Sequence, residues 1–269
     1  MKPDLLDAES LRQQVDINVV GRTIEHYSEV PSTNTLALER AGDPANHGLA
    51  IFAEYQTAGR GRIDRTWLAP RGASVLCSVV LLLKPDEPQA RSLVLWTALA
   101  VRQALLEACD VNTTIKWPND LLAGGRKIAG ILIESKPLGD KRRSYVVGIG
   151  INCLQHGPHF PPEIRETATS LDLESTQTIN RMNVAKHLLQ ALDHWYEESA
   201  KLSSEALKSF WAAHALPLGK RLRVCSAGQH YCGSLIELDP EGGILMELEQ
   251  GGRRLFSPHT TSIEAMDDL

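Results

Sequence analysis

The part of this chain best equipped for chemistry is Gln56-Thr57-Ala58-Gly59-Arg60-Gly61-Arg62, where glycines alternate with arginines. Glycine lets the backbone approach a bound group closely. Each arginine adds a forked, permanently charged donor that meets phosphate or carboxylate through two parallel hydrogen bonds, each about twice as strong as a neutral one. Taken alone, the stretch also fits a solvated basic loop or a Gly-Arg segment of RNA-binding type. A second concentration is Lys116-Trp117-Pro118-Asn119-Asp120, followed by Lys127 and Gly130. Lys127 could neutralise a carbonyl or phosphate oxygen. Gly130 could let a flat ring pack against bare backbone, and Asp120 could accept a proton or orient an amine. A hairpin with surface charges would explain any one of these residues.

Gly148-Ile149-Gly150-Ile151-Asn152 invites a dinucleotide-binding interpretation, but Cys153 stands where the third glycine belongs. No acid follows at the required spacing and no helix opens there, so that interpretation fails. The chain has no G-x-x-x-x-G-K-[ST] and no G-x-S-x-G, which removes the Walker-type ATPases and the serine hydrolases with a nucleophile elbow. His156 and His159 sit in a Pro-rich loop without a carboxylate at ligand spacing, so no resident metal is expected. The five cysteines, Cys77, Cys109, Cys153, Cys225 and Cys232, are odd in number and form no C-x-x-C pair. They suggest reduced thiols in cytoplasm, with neither a disulfide framework nor a zinc site.

These groups need elements to hold them. Residues 1–20 read as a polar lead-in. Ser32 and Thr33 are good N-cap types for a helix through Arg40. Leu49 to Tyr55 and Ser74 to Leu83 read as strands around a Gly- and Arg-rich loop. Val94, Ala98, Val101, Leu105 and Ala108 recur at helical spacing, predicting an amphipathic helix over 91–109. Strands follow at Thr113 to Trp117, Leu121–Leu122, Lys127 to Glu134 and Ser144 to Asn152, with a turn over Ala123 to Arg126. Gln155 to Thr169 holds three prolines and reads as a loop. Asn183 reads as the cap of a helix facing inward with Val184, Leu188, Ala191 and Trp195, and another helix is expected near 204–214. After Pro217 the texture changes to short strands with Gly turns, at Arg221–Cys225, Tyr231–Leu238, Gly243–Leu248 and Arg253–Phe256. These suggest a small β-barrel.

The 269 residues suggest one large domain, or a large domain plus a small one. A formal net charge of -5 weighs against non-specific nucleic-acid binding. Met1 to Asp7 carries no apolar run, so no secretory signal is expected. Val75 to Leu83 is too short to span a bilayer.

Together these stretches resemble the biotin–protein ligase family. The matching pieces are Ser32-Thr33-Asn34 at a helix start, Gln56 with Gly59-Arg60-Gly61-Arg62, Lys116-Trp117-Pro118-Asn119-Asp120, Lys127-x-x-Gly130-Ile131-Leu132, and Gly148-x-Gly150-Ile151-Asn152. They fall in the family's order and spacing. The resemblance implies an α+β fold, with a mixed β-sheet and helices like that of class II aminoacyl-tRNA synthetases, followed by an SH3-like β-barrel. The expected division is 1–216 and 217–269.

The resemblance further implies an ATP-dependent ligase that joins biotin to AMP and passes it to a lysine of a carrier protein. ATP and biotin would be substrates, with Mg2+ accompanying ATP. The carrier would be the biotin carrier domain of a carboxylase, acetyl-CoA carboxylase being the expected one. A homodimer is left open. Ser32, Thr33, Asn34 and Gln56 would meet biotin's ring, and Gly130 and Leu132 would line its slot with Trp67 as a wall. Arg60, Gly61, Arg62 and Lys127 would hold the biotin carboxylate and the α-phosphate. Trp67 and Asn152 would lie near the nucleotide, and Asp120 would handle the carrier amine. Two departures stand out: Ile63-Asp64 where the family often has Arg-Gly, and Ser262-Ile263-Glu264 where many bacterial members have an arginine. Only 31 residues precede Ser32, fewer than the roughly sixty of a helix-turn-helix domain, so no specific DNA binding is expected.

The nearest alternative is a lipoate–protein ligase, against which Arg60-Gly61-Arg62 with Lys116 to Asp120 weighs. A non-catalytic biotin-binding module would not need the phosphate-directed Arg60, Arg62 and Lys127. A nucleic-acid-binding module comes third, disfavoured by the acidic balance.

Overall fold

The computed structural model describes residues 5–139 and 141–267. Among these, seven strands form one mixed sheet: β1 (Ile24–Tyr27), β2 (Ala50–Ala53), β3 (Ser74–Leu83), β4 (Thr114–Lys116), β5 (Asp120–Ala123), β6 (Arg126–Pro137) and β7 (Arg143–Asn152). Their order is β1-β2-β3-β7-β6-β5-β4. Only β1 and β2 run parallel; the other neighbours are antiparallel. The helices are α1 (Ala8–Gln14), α2 (Thr33–Arg40), α3 (Pro88–Arg91), α4 (Leu93–Cys109), α5 (Leu171–Glu174), α6 (Arg181–Lys201) and α7 (Ser204–Ala212). A second, antiparallel sheet contains β8 (Arg221–Ser226), β9 (Gln229–Asp239), β10 (Gly243–Leu248), β11 (Arg253–Phe256) and β12 (Thr261–Asp267), in the order β11-β10-β9-β8-β12. The α+β class expected from the sequence is the one found, and the second sheet is consistent with an SH3-like unit.

The continuous apolar run of β3 reflects cover on both faces: all ten of its residues are buried. Val75, Val79 and Leu81 join the large core with α4 and α6, while Val80 and Leu82 pack with Ala37 and Ala41 of α2 and its C-terminal edge. Further along that second face, Leu76 lines a cavity and Ser78 reaches α2. One strand thus carries the core on one side and the site on the other.

Several expectations need correction. Helix α4 starts at Leu93, after the separate turn α3, and buries twelve of its seventeen residues. It is enclosed nearly all round, so the periodicity recorded one stripe of a wider buried surface. The lead-in expected over 1–20 is more than that where it is described, the first four residues lying outside the described ones: Asp7 caps α1, and Leu6 and Leu11 are core residues. Strand β1 was missed because each of its four residues is half-buried and none marks a face. The cap of α6 is Asn180, whose side chain accepts the Asn183 amide; Asn183 itself reaches the Ala108 carbonyl. The intervening Arg181 hid that start, being a charged residue with 0% exposure. It pairs with buried Glu54 at 2.8 Å. Burial alone would raise the Glu54 pKa, but bonds from His26, the Leu6 amide and Arg181 outweigh it and hold it at about 2. This clamp between α6, β2 and the N-terminal segment is therefore complete at neutral pH. Its contribution is lost only as pH falls below the ordinary value of 4.5 towards 2.

Candidate active site

A cavity of about 740 Å³ opens between the large sheet, the loops after β2 and β7, and the edge of β12. Its floor is β6 and β7, where glycines stand because something else fills their place. A Cβ on Gly150 would lie 2.5 Å from the Trp67 ring, and one on Gly148 2.2 Å from Asn34 Oδ1. Gly130 likewise lies beneath Trp67 and Lys127. Trp67 therefore lies over bare backbone.

Lys127 reaches the same floor through a β-bulge. Leu121 pairs with Ala129 and Leu122 with Lys127, so one extra residue enters β6. In a regular, unbulged strand Lys127 and Gly130, three residues apart, would face opposite sides. Lys127 Nζ lies 2.7 Å from Asp120 Oδ1 and 5.5 Å from the centre of the Trp67 ring. The turn before β5 contains a cis peptide bond between Trp117 and Pro118 and is stitched to β6: the Asn119 side chain donates to the Ile131 carbonyl, and the Ile131 amide donates to the Asn119 carbonyl. Lys116 also faces the cavity, and burial lowers its pKa.

The roof is a hairpin running from Gly59 to Trp67, joined by Trp67 N–H to Gly59 O at 3.0 Å and Gly61 N–H to Arg65 O at 2.6 Å. Its two leading arginines have unlike partners. Arg60 makes a bidentate pair with Glu134 at 2.9 and 2.7 Å. Arg62 donates to neutral oxygens, Asn119 Oδ1 at 3.0 Å and the Pro258 carbonyl. Desolvation lowers the Arg62 pKa, with Asp120 opposing that shift. Arg65 donates to Ser262 Oγ at 3.1 Å, and Ser262 to Met266 line the cavity.

At the start of α2, the Thr33 amide and hydroxyl both donate to Gln56 Oε1, at 2.8 and 3.0 Å. Ser32 caps α2 by position only, without a side-chain cap bond. Asn34 Nδ2 donates to Glu134 Oε2 at 2.8 Å. The cavity thus gathers Ser32, Thr33, Asn34, Gln56, Arg60, Gly61, Arg62, Trp67, Asp120, Lys127, Gly130, Leu132 and Asn152, every site residue expected from the sequence. Asn152 is the least available: its amide donates to the Thr169 carbonyl and accepts from Gln155. Lys116, Asn119, Arg65 and residues 262–266 were not singled out for roles. The first two lie inside a recognised motif, and Arg65 lies just beyond one. Of the last, Ser262-Ile263-Glu264 stood out only as the place where many bacterial family members have an arginine.

Away from the floor, Cys225, His230 and Glu264 on β8, β9 and β12 bring ligand-type atoms within 4.8 Å of one another. Cysteine spacing alone did not indicate this group. His230 Nδ1 and Glu264 Oε2 already meet at 2.9 Å.

The arrangement sets glycine-floored backbone covered by Trp67 beside the cations Arg62, Lys116 and Lys127. The model of the biotin/lipoate A/B protein ligase family matches residues 27–152. The bifunctional ligase/repressor BirA of Bacillus subtilis is 34% identical over 258 residues, covering 95% of this chain and 79% of that protein. The biotin–[acetyl-CoA-carboxylase] ligase of Mycobacterium tuberculosis is 32% identical over 263 residues, covering 92% and 91%. Among solved structures, the biotin protein ligase of Aquifex aeolicus in complex with biotin and ATP superposes with a TM-score of 0.73 at 28% identity, covering 90% of this chain and 99% of that one. The chain belongs to the biotin/lipoate A/B protein ligase family, on its biotin–protein ligase side. No helix among the described residues is long and apolar enough to cross a membrane.

Proposed function

We propose that this chain joins biotin to AMP and then transfers the biotinyl group to a lysine of a carrier protein. In the first step a biotin carboxylate oxygen attacks the α-phosphorus of ATP and pyrophosphate leaves. In the second the carrier lysine nitrogen attacks the acyl carbon and AMP leaves. Both first-step reactants are anions, so the site must place positive charge between them. The observation that carries the proposal is the convergence of Arg62, Lys116 and Lys127 on one cavity beside the Trp67-covered glycines. Arg62 and Lys127 hold the carboxylate and α-phosphate, and Ser32, Thr33, Asn34 and Gln56 hold the ring near Gly130 and Leu132. Trp67 and Asn152 border the nucleotide.

A free lysine amine has a pKa of about 10.4, so only about one in several thousand is neutral at pH 7. Asp120 orients or deprotonates the incoming amine after releasing Lys127. The mixed anhydride must be kept from water, and the 59–67 hairpin with the 155–169 loop covers it. Mg2+ comes with ATP. Of the carboxylates that line the cavity, Asp120 is engaged by Lys127 and Glu264 by His230, while Glu163 belongs to the 155–169 loop. That fits an ion held mainly by phosphates and water, which is Mg2+'s usual preference. It would offset phosphate charge.

The carrier is the biotin domain of a carboxylase, in keeping with the name of the Mycobacterium tuberculosis relative. A division near residue 216, a cytoplasmic location and a dimer option complete the proposal. The lipoate alternative is not favoured, since the relatives compared are biotin ligases or ligase/repressors. Mixing the protein with ATP and biotin should release pyrophosphate, and lipoate in place of biotin should not. Release with lipoate alone would reverse the substrate, and no release with either would end the proposal.

A further inference from the structure

The two arginines of Gly59-Arg60-Gly61-Arg62 are equivalent in sequence but not in charge environment. A bidentate carboxylate largely cancels the field of a guanidinium beyond it, whereas carbonyl acceptors leave it in place. Arg60 faces the Glu134 carboxylate, whereas among the described residues Arg62 donates to an amide oxygen and a main-chain carbonyl. Glu134 is held in turn. Its Oε2 accepts from Asn34 Nδ2, and Asn34 Oδ1 lies 2.6 Å from the hydroxyl of fully buried Ser78. Gly148 leaves the space that lets Asn34 sit there. A chain of bonded groups thus runs from β3 through α2 and β6 to the roof.

We propose that Glu134 is a positioning residue: braced by Asn34, it pins Arg60 to β6, so that Arg60 anchors the roof hairpin while Arg62 supplies the charge that substrate meets. This rests on the ligase function proposed above and divides labour within its site.

The test is a double-mutant cycle on the full chain, with two measurements. In the ligand-free protein, Arg60→Ala and Glu134→Ala should each speed amide hydrogen exchange across residues 57–67 to the same extent, with Glu134→Gln between them and the parent. In pyrophosphate-release assays both should raise KM for biotin by about fivefold, a modest coupling suited to a partly exposed pair. They should leave kcat within about threefold, and the double variant should be no worse than either single one. Arg60→Ala costing far more than Glu134→Ala, with additive effects, would mean that Arg60 itself meets substrate and would overturn the proposal. So would parent-like exchange and KM in Glu134→Ala. Absence of pyrophosphate release from the parent would end the ligase function instead, and the exchange measurement would still decide the anchor.

Discussion

The floor and the roof of this cavity are built from different kinds of bond. On the floor, Lys127, Gly130, Gly148 and Gly150 are placed by backbone ladders: β6 and β7 pair over nine positions, from Ala129 with Ile151 to Pro137 with Arg143. The roof is held to the rest largely by side chains, Arg60 on Glu134, Arg62 on Asn119 and Pro258, and Arg65 on Ser262. Ladders fix position cooperatively and open with the fold, whereas a few partly exposed polar contacts each contribute little and can be exchanged for contacts to a ligand. A site that must admit two substrates and then shut out water needs both. The chemistry should therefore depend steeply on floor residues and more gently on individual roof contacts.

The largest test of that difference is Lys127→Ala. Removing the floor cation should slow adenylate formation on the order of a hundredfold or more, measured as single-turnover pyrophosphate release. A loss as small as that expected for Glu134→Ala would erase the distinction. Next comes Gly150→Ala. Its Cβ would meet Trp67 at 2.5 Å, so the ring must leave the floor. KM for biotin or ATP should rise by about tenfold, because a shift near 1 Å in a site is costly. Parent-like values for both substrates would show that Trp67 need not rest on the glycines.

Lys116 gives a smaller, pH-dependent effect. Burial leads the causes that lower its pKa, with Lys127 and Arg65 adding to it and Asp120 opposing. The charged form is therefore present below that lowered pKa and is lost as pH rises through it, earlier than for a free lysine. Adenylate formation should decline on the alkaline side, and Lys116→Arg, which stays charged, should move that decline upward by a few-fold in rate at the highest pH tested. A pH profile identical in the two proteins would remove Lys116 from the electrostatics of the floor.

The same division governs how much was legible in the sequence. Ladder-borne parts announced themselves: Ser74 to Leu83 by an unbroken apolar run, and the β5–β6 hairpin by Gly124-Gly125, both with positive φ as the tight turn requires. The motifs around Arg60, Lys127 and Gly150 marked the cavity because they are local in sequence. What could not be read was long-range pairing between side chains. Glu134 lies 74 residues from Arg60, and nothing in either neighbourhood names the other. Strand β12 was missed for a local reason. Thr261 and Ile263 are buried in alternation, but the register shifts between Ile263 and Ala265, and the bulge at Glu264 breaks the period of two. That strand supplies the cavity edge from Ser262 to Met266, which the sequence marked only through Ser262-Ile263-Glu264 standing where many bacterial family members have an arginine.

The smallest effect concerns the tip of the roof. Arg65 N–H bonds Arg62 O at 3.1 Å, and the two residues between them, Ile63 and Asp64, have φ of 51° and 56°. This is a type I′ turn, which favours Asn-Gly at those places. Asp tolerates the left-handed region, but a β-branched residue there is strained by about 1–2 kcal/mol. Ile63 is 50% exposed, so its side chain gains little from packing in return. Ile63→Asn should relieve part of that strain without the unfolded-state entropy that glycine would add. A gain of about 0.5–1 kcal/mol would raise Tm by about 1–4 °C in a chain of this size. The shift appears only if the hairpin is formed in the free protein. An unchanged Tm, with faster exchange at 57–67 in both proteins than in the β6–β7 ladder, would mean that the roof assembles on its ligands while the floor stands ready before them.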